Sequence, residues 1–65
     1  MKFKAHEELR VHSTNGDWDG ELVEVVGVSS AYLSQFIWIV RSVCGKTDQY
    51  GFDIVTLPEC CLERV

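Results

Sequence analysis

Phe36-Ile37-Trp38-Ile39-Val40-Arg41-Ser42-Val43 is the most hydrophobic run of the chain, and its reading decides the fold. At a strand period of two, Phe36, Trp38 and Val40 share one face, while Ile37, Ile39 and Val43 share the other. A strand that is apolar on both faces is either central and covered, or part of an interface. Trp38 is assigned to the core.

On the N-terminal side, Ser29 to Gln35 reads as a polar loop with Tyr32 and Leu33 embedded and room for a single helical turn. Before it, Glu21-Leu22-Val23-Glu24-Val25-Val26-Gly27-Val28 is rich in β-branched residues, and Gly27 marks a bulge or sharp bend. The turn chemistry of Ser13-Thr14-Asn15-Gly16 separates that strand from Glu8-Leu9-Arg10-Val11-His12, which alternates polar and apolar. On the C-terminal side, Gly45-Lys46-Thr47-Asp48 forms the next turn, and Gln49 to Val55 the fourth strand, with Gly51 as a bulge position. Thr56 can cap a short helical turn, Pro58 fits an early helical position, and Glu59 completes a capping-box spacing. Leu62-Glu63-Arg64-Val65 is long enough for one last strand. The expected fold is all-β: one domain over residues 1–65, a compact five-stranded barrel with a short helical turn before the last strand.

A chain of 65 residues buries about 60% of the surface its unfolded form exposes. Its hydrophobic share of 46% therefore implies either an unusually apolar exposed surface or one that a partner or another copy covers in part. No apolar run reaches the roughly 18 residues a membrane span needs. Charges stand where a secretory signal between Met1 and Glu8 would need its apolar centre, so none is expected. The three cysteines, Cys44, Cys60 and Cys61, form an odd set without Cys-x-x-Cys, which fits a reducing, cytoplasmic setting. At least one of Cys60 and Cys61 is expected to act as a small buried hydrophobe. Together with His6 and His12 the cysteines lack zinc-ligand spacing, and no metal or cofactor is expected.

The residue order resembles the small Src-homology-like (SH3-like) barrel superfamily, which includes KOW-type domains and the plasmid-borne dihydrofolate reductases. Leu9-Arg10-Val11 before a turn, Trp18-Asp19-Gly20-Glu21-Leu22-Val23 opening the second strand, and Ile39-Val40-Arg41-Ser42 in the third carry the likeness. So does Leu57-Pro58-Glu59-Cys60-Cys61-Leu62-Glu63-Arg64-Val65, shaped like the family's closing turn and strand. The plasmid reductases work through a Gln-Ile-Tyr stretch and a lysine at the end of the first strand. This chain offers Val55-Thr56-Leu57 and Val11 or His12 at those places, so the resemblance implies the fold without reductase activity. It also leaves assembly into a homo-oligomer open.

No catalytic constellation stands out. Gly45-Lys46-Thr47 imitates the end of a phosphate-binding loop, but the glycine needed five residues before Gly45 is Val40, in a strand. Binding chemistry is better represented. Gly16-Asp17-Trp18-Asp19-Gly20 sets a tryptophan between two acids and two glycines, and no Lys or Arg occurs from Val11 to Val40. In Src-homology-like barrels the loop after the first strand carries acids that attract basic residues, and loop aromatics build the binding surface. The candidate partner-binding residues are therefore Asp17, Trp18, Asp19, Glu21, Tyr32 and Tyr50. Trp18 has two readings at this stage, a recognition residue or a lid on one end of the barrel.

The expected role is a noncatalytic protein-interaction module that binds a basic protein surface or peptide, suited to a phage, plasmid or gene-cassette accessory protein. A net charge of −4 disfavours the rival reading of a KOW-like nucleic-acid-binding domain. That rival needs Lys2, Lys4, Arg10, Arg41 and Lys46 on one face, with Tyr32 or Tyr50 free to stack. A small-molecule site at a homo-oligomer interface is the third alternative.

Overall fold

The computed structural model describes residues 3–12, 16, 18–32 and 35–65, apart from the side chain of Tyr32. Lys2, most of the expected Ser13–Gly16 turn, Asp17 and Leu33 lie outside the described residues. The strands are β1 (Glu8–Val11), β2 (Leu22–Tyr32), β3 (Gln35–Ser42), β4 (Ile54–Pro58) and β5 (Leu62–Arg64), with one 3-10 turn, Glu59–Cys61, before β5. All pairings are antiparallel, in the order β4-β3-β2-β1-β5.

That order forces closure. β4 and β5 occupy opposite edges of the sheet, yet only Glu59, Cys60 and Cys61 join them. In a flat sheet, four strand spacings would separate those edges by about 19 Å, before any offset along the strands. Four Cα-to-Cα steps reach at most about 15 Å. The sheet must curl until its edges approach, and the 3-10 turn accordingly packs against the interior strand β3. The product is the expected five-stranded barrel.

Two bulges in β2 supply the curvature. The β2–β3 register shifts between Val25 and Gly27, as Gly27 predicted, and again between Val28 and Ser30. The second shift lies where a polar loop with a helical turn was expected. β2 instead continues to Tyr32, pairing Ser30 with Ile37, Ala31 with Phe36 and Tyr32 with Gln35. Ser29, Ser30 and Ala31 are exposed, so their small polar character marks the outer side of a strand.

The fourth strand also departs from expectation. Asp48 organises a turn where a strand over 49–55 was predicted: its Oδ1 accepts the N–H groups of Tyr50 at 2.8 Å and Phe52 at 3.0 Å. Gly51, with φ of 86°, takes the left-handed position that this turn needs and is no bulge. β4 therefore begins at Ile54, and Thr56 pairs with Ile39 instead of capping a helix. Pro58 is extended, with φ −69° and ψ 152°, and no side chain caps the turn that follows. A proline without an N–H is tolerated here because β4 is an edge strand.

Leu9, Val11, Val23, Val25, Trp38, Val40 and Leu62 point inward and are buried. They draw on the alternation of β1, β2 and β3, with Phe36 packed at the periphery. Val26, Val28, Val43 and Ile54 remain substantially exposed. Phe3, in a segment whose sequence reads as a charged lead-in, is buried and meets Trp38 edge-on, with ring centroids 5.1 Å apart. The guanidinium of Arg64 lies 5.3 Å from the centre of the Phe3 ring. Trp38 is 1% exposed, and its Nε1–H has no acceptor among the described residues. An unsatisfied buried donor of this kind costs about 1–3 kcal/mol.

Leu62→Ala and Trp38→Phe should therefore behave differently in urea unfolding. The first opens a cavity at the closing strand and should cost about 2–5 kcal/mol. Trp38→Phe gives up ring area but also removes the orphaned donor, so its cost should stay below about 1.5 kcal/mol. Equal losses in the two variants would contradict this account of the core.

Candidate functional site at the acidic end of the barrel

The loop from β1 to β2 folds back on β1 instead of projecting from it. Gly20 donates its N–H to the Val11 carbonyl at 2.7 Å, and Val11 donates to the Glu21 carbonyl at 3.0 Å. Within the loop, Asp19 N–H reaches the Gly16 carbonyl at 3.2 Å and Glu21 N–H the Trp18 carbonyl at 3.0 Å. The tight return requires a left-handed residue, and Gly20 supplies it with φ of 87°.

This anchoring fixes Trp18 half-buried, packed against the core cluster. Asp19 beside it is exposed, and Glu21 is half-buried. Asp17 lies outside the described residues. Trp18 thus covers the core with part of its side chain and leaves the remainder exposed. Lid and surface aromatic coincide in one side chain.

The loop between β3 and β4 leaves the same end of the barrel. Val43 N–H donates to the Leu22 carbonyl at 3.1 Å and Ser42 N–H to the Asp53 carbonyl at 2.9 Å, tying both feet of this loop to the start of β2 and the end of β3. Buried Ser42 also accepts the Lys46 N–H on its Oγ at 2.9 Å. Between these feet the Asp48 turn holds out Tyr50 and Phe52, 75% and 64% exposed. Tyr32 ends β2 ten positions beyond Leu22, at the other end of the β2–β3 ladder. The fold therefore brings Trp18, Asp19 and Glu21 together, puts Tyr50 on a loop leaving the same end, and leaves Tyr32 apart.

Two contributors were not singled out from the sequence. Phe52, one of the aromatics the sequence offers but outside the candidate partner-binding set, joins Tyr50 as an exposed aromatic on the Asp48 turn. Arg10, outward-facing on β1, donates from Nη1 to the Gly20 carbonyl at 3.0 Å and braces the acidic loop. The acids divide as well: Glu24 is engaged elsewhere, pairing with Arg41 on β3 at 3.1 Å. Arg64 similarly pairs with Glu7 at 2.6 Å.

The 3-10 turn adjoins this end, since His12 N–H donates to the Cys61 carbonyl at 2.9 Å. Cys61 is buried, Cys44 and Cys60 are exposed, and none of the three is disulfide-bonded. Burial pushes the Cys61 thiol up in pKa, and a hydrogen bond with Cys60 and the charges of Cys60 and Asp19 add to the shift. Among the described residues, no three His, Cys, Asp or Glu side chains converge as metal ligands. No helix among them is long and apolar enough to cross a membrane. No protein-family model matches the chain, and no curated protein or solved structure is significantly similar to it.

Thiolate is the reactive form, so a raised pKa and burial both slow alkylation. Iodoacetamide labelling followed by peptide mass spectrometry should modify Cys44 and Cys60 first and Cys61 last in the folded protein. Modification of Cys61 at the pace of Cys60 would contradict the placement of the closing turn.

Proposed function

We propose that the chain is a noncatalytic protein-interaction module that takes a basic peptide or protein surface at the acidic, aromatic end of its barrel. One observation carries this reading. Trp18 is held by its loop against the core cluster while staying half-exposed, and the next residue in the chain, Asp19, is exposed. A lysine or arginine placed there gains ion pairing and cation–π contact together, each worth about 0.5–2 kcal/mol. Glu21 adds a second carboxylate, and Tyr50 and Phe52 extend the aromatic surface from the neighbouring loop. A rigid aromatic gives up little conformational entropy on binding.

The placement of the cations supports a protein partner over nucleic acid. Of the cations that nucleic-acid binding needs, Arg41 is held by Glu24 and Arg10 by the Gly20 carbonyl. A phosphate backbone would have to compete with each of these contacts.

Titration of the isotope-labelled protein with short Arg- and Lys-rich peptides tests the proposal. Amide shifts should saturate at Trp18, Asp19, Glu21 and Tyr50. Trp18→Leu keeps an apolar lid but removes the π face, and should weaken binding about 2- to 30-fold, the equivalent of 0.5–2 kcal/mol. Unchanged affinity in Trp18→Leu would leave Trp18 as a lid alone. Micromolar binding of single-stranded RNA or DNA that falls steeply with salt, without peptide binding, would favour the KOW-like reading.

A further inference from the structure

A second site lies on a different part of the barrel. Lys4, Ala5, His6, Glu7 and Arg64 line an open hollow of about 450 Å³, a volume in the range of small-ligand sites. Its charge is opposite to that of the chain as a whole: Lys4, Arg64 and an imidazole stand against the single carboxylate of Glu7, in a protein of net charge −4.

That carboxylate is already engaged on both oxygens. Glu7 Oε1 accepts the backbone N–H of Lys4 at 3.0 Å, and Oε2 accepts Arg64 Nε–H at 2.6 Å. These contacts hold the Glu7 carboxyl below its ordinary pKa, the Lys4 N–H foremost. Glu7 thus braces the Arg64 wall of the hollow, while the ammonium of Lys4 makes no ion pair among the described residues.

The backbone of the turn supplies the second line of evidence. Glu7 N–H donates to the Lys4 carbonyl at 3.1 Å, closing a four-residue turn with His6 in its third position. His6 has φ of 68°, the left-handed conformation that such turns give first to glycine, with Asn, Asp and His the commonest other residues there. It is the only non-glycine residue in that region among the described residues. Its N–H is fastened to the Val25 carbonyl at 2.8 Å, so the surrounding structure imposes the conformation. The imidazole contributes little to packing, because its side chain is 79% exposed. Its Nδ1 lies 3.6 Å from Glu24 Oε2, and the other oxygen of Glu24 is held by Arg41 at 3.1 Å. The ring is therefore oriented by Nδ1, leaving Nε2 as its remaining polar atom. A glycine would satisfy the backbone better; what the imidazole adds is its approach to Glu24 and a second ring nitrogen on an exposed side chain.

We infer that this hollow binds a small oxyanion of the phosphate-monoester class, gripped by the Lys4 ammonium, the His6 imidazole and the Arg64 guanidinium. The site is independent of the acidic loop, so its success or failure leaves the proposed peptide surface untouched.

Inorganic phosphate is the probe, titrated into the labelled full chain at constant ionic strength, with chloride as the control. Saturable amide shifts confined to residues 4–7 and 64, with a millimolar dissociation constant, are expected. Lys4→Gln should weaken binding at least fivefold. His6→Gly should also weaken it at least fivefold while leaving the melting temperature unchanged or raised, because the backbone strain is relieved. A drop in melting temperature for His6→Gly would assign the imidazole a structural role and overturn the inference. So would retained phosphate affinity in that variant, or shifts that are linear and spread over the surface as they are with chloride.

Discussion

The three-residue connection between Pro58 and Leu62 is the constraint on which the rest of the structure depends. It joins strands from opposite edges of a five-stranded sheet, and no flat arrangement lets so short a segment reach. Curling the sheet brings Leu62 against β1 and puts the 3-10 turn on β3. It also encloses one core, in which Trp38 contributes the largest side chain. The bulges at Val26 and Ser29 follow from the same demand, because a long strand shared by both halves of a barrel must bend.

Closure also sets the chemistry of the surface. The turn that seals the barrel places Cys61 beside the acidic loop, where His12 is hydrogen-bonded to it and Asp19 acts on its thiol. β5, held against β1, carries Arg64 to Glu7 and to the ring of Phe3. The segment before β1 is thereby pinned over the core, and a cationic hollow forms in an otherwise acidic chain. The fold thus brings Lys4 and Arg64, sixty positions apart in the sequence, to one hollow.

Much of this was legible beforehand. The period-two pattern of Phe36–Val40 identifies an interior strand and its inward face, and Gly27 marks a true bulge. The glycine-rich turn before Leu22 and the small hydrophobic role of Cys61 can be read directly as well. What escaped depends on partners distant in sequence. Ser29–Ala31 look like a loop until β3 is there to pair with them, and Phe3 looks exposed until Trp38 lies beneath it. Asp48 outweighs the β preference of Tyr50 and Phe52 through two local hydrogen bonds, which moves the fourth strand onward. In the site, Trp18 and its acids were visible as a motif. The bracing by Arg10, the separation of Tyr32 and the glycine-like conformation of His6 were not, because each is a property of the folded backbone.

The closed barrel is tested most directly by interproton contacts in solution. Nuclear Overhauser effects should connect residues Glu59–Cys61 with β3 side chains, across the gap that an open sheet would leave. They should also connect the rings of Phe3 and Trp38. A spectrum showing the β3–β4 and β1–β5 ladders intact, but no contact between the closing turn and β3, would contradict the account.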